Sequence, residues 1–512
     1  MLFNSYEFIF VFLPITLIGI YFLAKFKTKK IIISWLAGMS LVFYAWWTPA
    51  FLVLLILSIC FNYGIGYLLV RLRARKKGFF RPIHVLWFGI CLNLLVLAYY
   101  KYFNFFLANL NAGFGLSFPL EKIVLPIGIS FFTFTQIAFL VDVYRGIVEE
   151  YRFISYVLFV TFFPHLIAGP ILHHKEMMPQ FEDEKTLNLC WKNMTVGMVV
   201  FIFGLFKKVI IADNLARFAS PIFNAVAQGA IPQFFEAWLG ALAYTLQLYF
   251  DFSGYSDMAI GLALLCNIRL PINFFSPYKA LSIIEFWRRW HMTLSRYLRD
   301  YLYIPLGGNR HGEYAKMRNL MITMFLGGLW HGAGWTFVVW GVLHGLYLVV
   351  NHMWRRCKIE LPMLLSWGIT FICVVIAWVF FRADTLHSGW VIVSGMFGGN
   401  GISLPENLAG KLHFLLNYGV SFSGIMVIAD VVPNKIIMWV AIAFILSVAG
   451  PNVMELMRTY KPALGLENKK DISLKKTLEW KPSLIWSILL GVMAIVSILS
   501  LINASEFLYF QF

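Results

Sequence analysis

The residues best suited to chemistry are two histidines within one long uncharged stretch. Residues 320–350 read LMITMFLGGLWHGAGWTFVVWGVLHGLYLVV, include His331 and His344, and contain no Asp, Glu, Lys or Arg. A neutral imidazole accepts a proton near neutral pH, so a buried histidine can act as the general base that activates a hydroxyl group. This chemistry needs no covalent intermediate on the protein. The stretch therefore predicts proton transfer by one of its histidines.

Other familiar catalytic patterns are missing from the sequence. It contains no GxSxG nucleophile elbow, no HExxH zinc motif, no GxGxxG fingerprint and no Walker loop, so covalent catalysis by Ser or Cys has no support. On a continuous helix His331 and His344 would lie about 20 Å apart and on different faces. The adjacent His173 and His174 would seldom supply two ligands to one ion. We therefore predict no metal site and no permanently bound cofactor.

The composition identifies the surroundings of these histidines as a membrane. Of 512 residues, 60% are hydrophobic and 13% are charged, far from the averages of soluble proteins. The uncharged stretch would extend about 46 Å as a helix, more than the ~30 Å core of a bilayer, so we predict a tilted or broken span. It holds two small-xxx-small pairs, which let a neighbouring helix approach: Gly328 with Gly332, and Gly341 with Gly345. The histidines should then face protein, and Gly328 and Gly332 should leave room for a substrate near His331.

The distribution of charge predicts the topology. The net charge is +17, and the Lys and Arg residues form short clusters between apolar runs, which is typical of cytoplasmic loops rather than of nucleic-acid binding. By the positive-inside rule we place residues 25–30, 71–81 and 458–481 in the cytoplasm. Residues 109–119, the N-terminus and Phe512 should then lie outside.

The apolar runs predict an all-α, polytopic integral membrane protein with roughly eleven to thirteen membrane segments; a central tunnel within this bundle is implied by the family resemblance described below. The predicted helical segments are 8–23, 31–47, 51–70, 85–107, 123–141, 198–211, 235–250, 320–350, 366–381, 414–428, 437–449 and 484–502. Residues 156–171 contain Pro164 and Pro170, so we expect a broken or re-entrant helix there, shielded by protein. Residues 1–512 are predicted to form a single domain, with a catalytic core at about residues 120–385.

Two further segments bring polar groups into this apolar setting. Asp251 and Asp257 interrupt an apolar run, and carboxylates at membrane depth are costly unless they are paired or hydrated. They are therefore either structural ion partners or residues that line the tunnel, and Trp330 is assigned to the same lining. Residues 285–303 mix aromatic residues with arginines and predict one amphipathic helix at the cytoplasmic interface. The arginines are Arg288, Arg289, Arg296 and Arg299.

Several long motifs carry a family resemblance. They are FWRRWHMTLSRYLRDYLYIPLGG (residues 286–308), GGLWHGAGW (327–335), FVVWGVLHG (337–345), PIGISFFTFTQIAFLVDVYRG (126–146), FFPHLIAGPI (162–171), GLFKKVIIADN (204–214), QLYFDFSGYSDMAIG (247–261) and AWVFFRA (377–383). By their length and order they resemble the membrane-bound O-acyltransferases, specifically the bacterial branch that O-acetylates alginate, peptidoglycan and related wall polymers. The chain is also similar to the D-alanyl transferase of teichoic acids.

The resemblance implies an O-acyltransferase of the bacterial cytoplasmic membrane, folded as a helical bundle around a tunnel. His331 corresponds to the near-invariant intramembrane histidine that is taken as the base, and His291 stands where the family has a second, more variable polar residue. Acetyl-CoA is then the expected donor on the cytosolic side. The acetyl group would pass to an extracytoplasmic partner acetyltransferase or to the exported polysaccharide itself. The motifs leave the acceptor polymer open.

Each of these residues also has a purely structural interpretation. His331 could be a core histidine bonded to a neighbouring helix, and His291 a side chain in an interfacial belt of Trp and Arg. His344 is interpreted as a packing residue because nothing polar surrounds it. The arginines are either an interfacial anchor or contacts for the phosphates of acetyl-CoA, to which the Arg fork is suited. At the level of function, a transporter with broken helices and a non-catalytic scaffold compete with the acetyltransferase.

Overall fold

Helices dominate the computed structural model, as the apolar pattern predicts. The structure describes residues 1–26, 28–74, 81–149, 151–183, 190–466, 478–503, 505, 507 and 508. The α-helices of these residues, numbered in chain order, are α1 (Leu13–Ala24), α2 (Lys29–Ala45), α3 (Ala50–Ala74), α4 (Pro82–Leu97), α5 (Phe103–Phe114), α6 (Ile129–Arg145), α7 (Phe153–Thr161), α8 (Phe163–Leu166), α9 (His174–Glu182), α10 (Trp191–Phe206), α11 (Asp213–Ala227), α12 (Phe234–Leu265), α13 (Ile283–Trp287), α14 (Met292–Leu298), α15 (Gly312–His331), α16 (Trp335–Trp354), α17 (Met363–Arg382), α18 (Leu386–Met396), α19 (Pro433–Val448), α20 (Val453–Leu456) and α21 (Leu484–Ser500). Segments of π-helix lie at Phe8–Phe12, Ala98–Tyr102, Lys207–Ala212 and Arg299–Tyr303, and 3-10 helices at Pro277–Lys279, Glu406–Leu408, His413–Tyr418, Arg458–Tyr460 and Leu501–Asn503. Strands β1 (Ile402–Ser403) and β2 (Val420–Ser421) pair in parallel, with Ile402 opposite Val420.

Five helical segments of the described residues are long and apolar enough to cross a membrane. They are Ala50–Ala74, Pro82–Phe114, Trp191–Ala227, Trp335–Trp354 and Met363–Arg382. Shorter apolar helices lie at Phe8–Ala24, Pro433–Val448 and Leu484–Ser500. In a bilayer every backbone polar group must be bonded within the protein, and a helix achieves this within one segment. The chain is an all-α, polytopic integral membrane protein, as predicted.

The structure covers only part of the predicted topology. Lys27, residues 75–80, residues 467–477 and Phe512 lie outside the described residues. The predicted outer link, residues 109–119, begins as a helix, because α5 continues to Phe114. It ends at Gly115, whose φ of 66° is a left-handed conformation that a side chain disfavours. The side of the membrane on which each loop lies stays a prediction.

The chain divides into two compact units, of which the first contains Met1–Gly204, Tyr255–Ile272 and Val453–Met493. Its interior is rich in aromatic contacts, and Phe3, for example, stacks on Tyr255 with ring centroids 4.7 Å apart. The buried amides of Asn62 and Asn93 exchange hydrogen bonds of 3.1 and 2.7 Å between α3 and α4. Such pairing satisfies polar groups that lipid could not.

The proline-containing segment 156–171 belongs to this first unit and is broken, as predicted. Helix α7 ends at Thr161, Phe162 leaves the helical conformation with a ψ of 109°, and α8 covers only Phe163–Leu166. Pro164 lies at the start of α8, where its missing N–H costs least. All residues of the segment are buried. Protein therefore shields the break, which is the condition for irregular backbone at membrane depth.

The second unit contains Leu205–Gly254, Asn273–Asn452 and Ala494–Phe512. Within it the uncharged stretch 320–350 forms a helical hairpin, because α15 ends at His331 and α16 begins at Trp335. Gly332 and Gly334 adopt extended conformations that separate the two helices. Of the two predicted forms of this stretch, a tilted span or a broken span, the structure shows the broken one. The hairpin places His331 at a turn instead of in the middle of a span.

One predicted apolar helix of the second unit, residues 414–428, is wrong. The segment contains most of a short 3-10 helix and the strand β2, and the remainder is irregular. Gly419 and Gly424 have φ values of 78° and 98°, which turn the backbone away from a helix. The N–H groups of residues 427–429 donate to the carboxylate of Glu236 at 3.1 to 3.3 Å. A distant side chain thus takes the backbone donors that a helix would have used.

Candidate active site

His331 lies at the end of α15 within an aromatic cluster. The residue is 4% exposed, and its ring centroid lies 5.0 Å from Trp330, 4.9 Å from Trp340 and 5.3 Å from Phe381. The turn after His331 brings Trp340 of α16 back against the imidazole. A ring enclosed in this way is shielded from bulk water, which protects a group-transfer reaction from hydrolysis.

The structure brings His291 close to His331, with 6.4 Å between the ring centroids. His291 is fully buried and has a φ of 41°, a left-handed conformation that is uncommon for a residue with a side chain. Strained backbone of this kind collects at functional sites. The prediction of one helix over residues 285–303 is wrong. Helix α13 ends at Trp287 and α14 begins only at Met292, and His291 lies in the break between them.

Asn273 holds His291 in this conformation. Its backbone carbonyl accepts a hydrogen bond of 2.9 Å from the N–H of Met292, and its Oδ1 lies 3.0 Å from His291 Nδ1. Thr293 donates to the same Oδ1 from its hydroxyl at 2.8 Å and from its N–H at 3.4 Å, which identifies this atom as the acceptor oxygen. His291 Nδ1 therefore carries a proton, and Nε2 of the neutral ring holds a lone pair. No partner among the described residues bonds His291 Nε2, so it is available as a proton acceptor.

The glycines around His331 allow the helices to pack. A Cβ placed on Gly341 would lie 3.1 Å from the Cα of Gly328, and the ring of Phe337 fills the position of a side chain at Gly332. The expectation that the small-xxx-small pairs permit close approach of helices is confirmed. The expectation that Gly328 and Gly332 leave room for a substrate is wrong, because protein atoms occupy that space.

Asp251 belongs to a buried ion network. The Nζ atom of Lys208 lies 2.6 Å from Asp251 Oδ1 and 2.8 Å from Asp213 Oδ1. Ser505 donates from its hydroxyl to Asp213 at 2.6 Å, and Leu508 donates from its N–H to Asp251 at 3.2 Å. The sequence left two interpretations of Asp251 open, a structural ion partner or a residue of the tunnel lining. These contacts are those of a structural ion partner. Asp251 is 1% exposed, so the pairing offsets what would otherwise be a large desolvation cost.

Asp257 and Trp330, the other residues assigned to a tunnel lining, are also buried. Asp257 is 7% exposed and lies six residues after Asp251 on α12. Trp330 is 3% exposed, and its ring centroid lies 6.3 Å from that of His291. Trp330 therefore belongs to the aromatic surroundings of both histidines. That either residue lines a tunnel stays a prediction.

The four arginines of residues 285–303 do not share one environment. Arg289 pairs with Glu285, with 2.7 Å between Nη2 and Oε1, and Arg299 pairs with the adjacent Asp300 at 2.7 Å. Arg296 is half-buried, whereas Arg288 is exposed. Within the described part of the chain no ion pair includes Arg288.

His344 lies on α16 in a cage of aromatic rings. Its ring centroid is 4.8 Å from Trp340, 5.1 Å from Trp287 and 6.0 Å from Phe286. The interpretation that nothing polar surrounds it is wrong, because the indole N–H of Trp287 donates to His344 Nδ1 at 3.3 Å. Trp287 is 57 residues away in the sequence, so the local pattern gave no indication of this contact.

Sequence reasoning missed Lys208, Asn273 and Trp340. Lys208 had a usable signal, since a lysine inside an apolar run such as GLFKKVIIADN is costly unless it is paired. Asn273 had a weaker signal, because an amide between apolar residues must find a partner. Trp340 had none, as an aromatic residue on an apolar helix is usually part of the core.

These features define a class of protein: a polytopic helical membrane protein in which two buried histidines lie close together among aromatic rings. Among the described residues no group of three His, Cys, Asp or Glu side chains could hold a metal ion. Residues 79–383 match the membrane-bound O-acyltransferase family, MBOAT. The chain belongs to this family and is an O-acyltransferase.

Similar proteins agree with this assignment. The chain is 45% identical to a peptidoglycan O-acetyltransferase of Helicobacter pylori over 434 residues, which cover 79% of this chain and 81% of the relative. It is 45% identical to a probable alginate O-acetylase of Pseudomonas aeruginosa, over 78% of this chain and 75% of the relative. A teichoic acid D-alanyltransferase of Streptococcus thermophilus is 30% identical over 45% of this chain and 58% of its own length. The family resemblance predicted from the motifs is confirmed.

Proposed function

We propose that this protein is a membrane O-acetyltransferase that moves an acetyl group from cytosolic acetyl-CoA to an exported polysaccharide such as alginate or peptidoglycan. The two relatives with 45% identity, which are named for O-acetylation, support the acetyl group and the polysaccharide class. The observation that carries the proposal is the pair of buried histidines, His331 and His291, whose ring centroids lie 6.4 Å apart. Hydroxyl groups need a base to become nucleophiles, and this pair supplies one in a shielded site.

His331 is the proposed general base. It takes the proton of the acceptor hydroxyl as the oxygen attacks the thioester carbon, and it returns the proton to the thiolate of CoA as the carbon–sulfur bond breaks. An imidazole is matched to both steps because its unperturbed pKa of about 6.5 lies near neutral pH. The ring is 4% exposed, so the acceptor hydroxyl competes with little water for its lone pair.

His291 is the proposed second catalytic residue. Asn273 fixes its proton on Nδ1, so the lone pair on Nε2 can accept a hydrogen bond from the acceptor hydroxyl or from His331. A second acceptor near the base helps to orient the hydroxyl before the proton moves. His291 thus acts beside His331 and does not replace it.

The donor and acceptor approach from opposite sides of the membrane in this proposal. The protein lies in the bacterial cytoplasmic membrane as a single catalytic domain, with both termini outside. Arginines of residues 285–303 contact the phosphates of acetyl-CoA. Arg288 is the leading candidate, because it is exposed and has no ion pair with any residue that the structure describes. An extracytoplasmic partner acetyltransferase or the polysaccharide itself takes up the acetyl group. Acetyl-CoA is a substrate, and no permanently bound cofactor is required.

The test is the release of CoA by purified protein in detergent, with acetyl-CoA as donor and deacetylated alginate or peptidoglycan as acceptor. Wild-type protein should release CoA and acetylate one of these polymers. His331→Ala should lose ~10²- to 10⁴-fold in rate, the usual contribution of a general base. His331→Gln should be equally poor, because Gln restores hydrogen bonding without basicity.

The control is His84→Ala, which replaces an exposed histidine near the start of α4. This variant should transfer at the wild-type rate. A folded His331→Ala protein of near-normal rate would transfer the role of base to His291. Wild-type protein that releases no CoA with either acceptor would contradict the proposed donor and the proposed polysaccharide acceptors.

A further inference from the structure

We propose that Trp340 and His344 bind the carbonyl oxygen of the acyl group during transfer, each through one N–H donor. The inference rests on the proposed function, because it assigns a task in the same reaction. It gives His344 a role other than packing.

The proton position on His344 is set by Trp287. An indole N–H can only donate, so the contact of 3.3 Å from Trp287 Nε1 makes His344 Nδ1 the acceptor. The neutral ring then carries its proton on Nε2. His344 is 0% exposed, and no described residue supplies an acceptor for Nε2. The residue therefore presents a buried donor that the surrounding protein does not use.

Trp340 supplies a second donor of the same kind. It is 1% exposed, and its Nε1 has no acceptor among the described residues. It lies four residues before His344 on α16 and so on the same face of the helix, with 4.8 Å between the ring centroids. Its ring centroid is also 4.9 Å from that of His331. Two unused donors thus lie on adjacent rings, and the ring of Trp340 contacts the candidate base His331.

Buried donors without acceptors are uncommon in native proteins, and each one calls for an explanation such as a catalytic role or a bound group. The two kinds of side chain near His331 suit different groups of the substrates. His291 presents a lone pair on Nε2, which suits the proton of the acceptor hydroxyl. Trp340 and His344 present hydrogens, which suit the carbonyl oxygen of the acyl group.

Acyl transfer creates the negative charge that such donors stabilise. As the acceptor oxygen attacks the thioester carbon, the π electron pair of the C=O bond moves onto the carbonyl oxygen and the hydroxyl proton passes to His331. When the C=O bond re-forms, the C–S bond breaks, and His331 gives the proton to the CoA thiolate. Donors that are already in place stabilise the intermediate oxyanion without reorganisation, and the loss of one typically reduces kcat by about 10²- to 10³-fold.

The test measures kcat and the KM for acetyl-CoA of the full chain in detergent, by CoA release, together with the thermal unfolding midpoint. Trp340→Phe removes the N–H and keeps an aromatic ring, and it should lower kcat about 10²-fold while the KM changes less than about twofold. His344→Leu should do the same. His344→Gln should recover part of the rate, because its amide can donate from a similar position.

A matched control removes an indole N–H that already has an acceptor. Trp238 Nε1 donates to the carbonyl of Met396 at 2.8 Å, so Trp238→Phe should lower thermal stability and leave kcat per folded protein unchanged. Equal kcat in wild type, Trp340→Phe and His344→Leu would overturn the role of these two donors and would leave the proposed function standing. A loss in His344→Leu that His344→Gln does not relieve would overturn it in favour of packing. Wild-type protein without any transfer would overturn the proposed function and this inference with it.

Discussion

Replacement of Lys208 by Met is expected to destabilise the protein and to slow acyl transfer. The Nζ atom lies 2.6 Å from Asp251 and 2.8 Å from Asp213, and the side chains of these three residues are 1%, 1% and 7% exposed. Met fills most of the volume of Lys but leaves both carboxylates without a cation. Removing one partner of a buried ion pair costs about 3–5 kcal/mol. We expect a loss of about this size in the free energy of unfolding.

The expected loss of activity follows from the other residues that are bonded to the carboxylates of Asp213 and Asp251. Ser505 and Leu508 donate to the same two carboxylates, and between them Phe507 packs against Phe252 with 5.7 Å between ring centroids. The ring of Phe252 lies 4.8 Å from that of His291. Loss of the network should therefore loosen the packing behind His291 and lower kcat per folded protein.

The assay is thermal unfolding in detergent, followed by CoA release at a temperature where the variant is folded. Lys207→Met is the matched control, because the neighbouring Lys207 lies over the ring of Tyr249 at 5.6 Å from the centroid, a contact typically worth about 0.5–2 kcal/mol. The double variant Lys208→Met/Asp251→Asn should be more stable than Lys208→Met, since it removes one of the two unpaired charges. A Lys208→Met protein with wild-type stability and rate would show that the ion network neither stabilises the fold nor supports the packing behind His291.

Three further changes test the site and the topology. Asn273→Ala should lower kcat at least about tenfold because the proton on His291 Nδ1 loses its acceptor. Asn273→Asp keeps an acceptor and should restore most of the rate, while its buried charge should lower the melting temperature. Arg288→Ala should raise the KM for acetyl-CoA without lowering expression, whereas an equal KM would leave only an interfacial role for this exposed arginine. In a background from which the six free cysteines have been removed, labels at Ala112 and Arg73 should react from opposite sides of the membrane. Labelling of both from one side would contradict the topology.

Features that depend on neighbours in the chain were predictable. The helical membrane fold follows from the length of the apolar runs, and the break in residues 156–171 follows from prolines that cannot complete a helix. The length and order of the motifs placed the chain in the correct family. The errors arose where a distant side chain intervenes. Residues 414–428 are apolar enough for a helix, yet Glu236, nearly 200 residues away, binds the N–H groups of residues 427–429.

Length and composition were enough to predict the class of protein, and residue type indicated a buried base within residues 320–350. The choice of His331 and the inclusion of His291 came from the family resemblance of the long motifs. The placement of these side chains, and which of their nitrogens carries the proton, depend on the tertiary structure. The 6.4 Å separation of His331 and His291 requires that α14 and the α15–α16 hairpin pack in one unit. The proton positions on His291 and His344 depend on Asn273 and Trp287, which lie 18 and 57 residues away. Hydrogen bonds extend only about 3 Å, so partners so far apart in sequence are chosen by the packing of the whole fold and not by any local pattern.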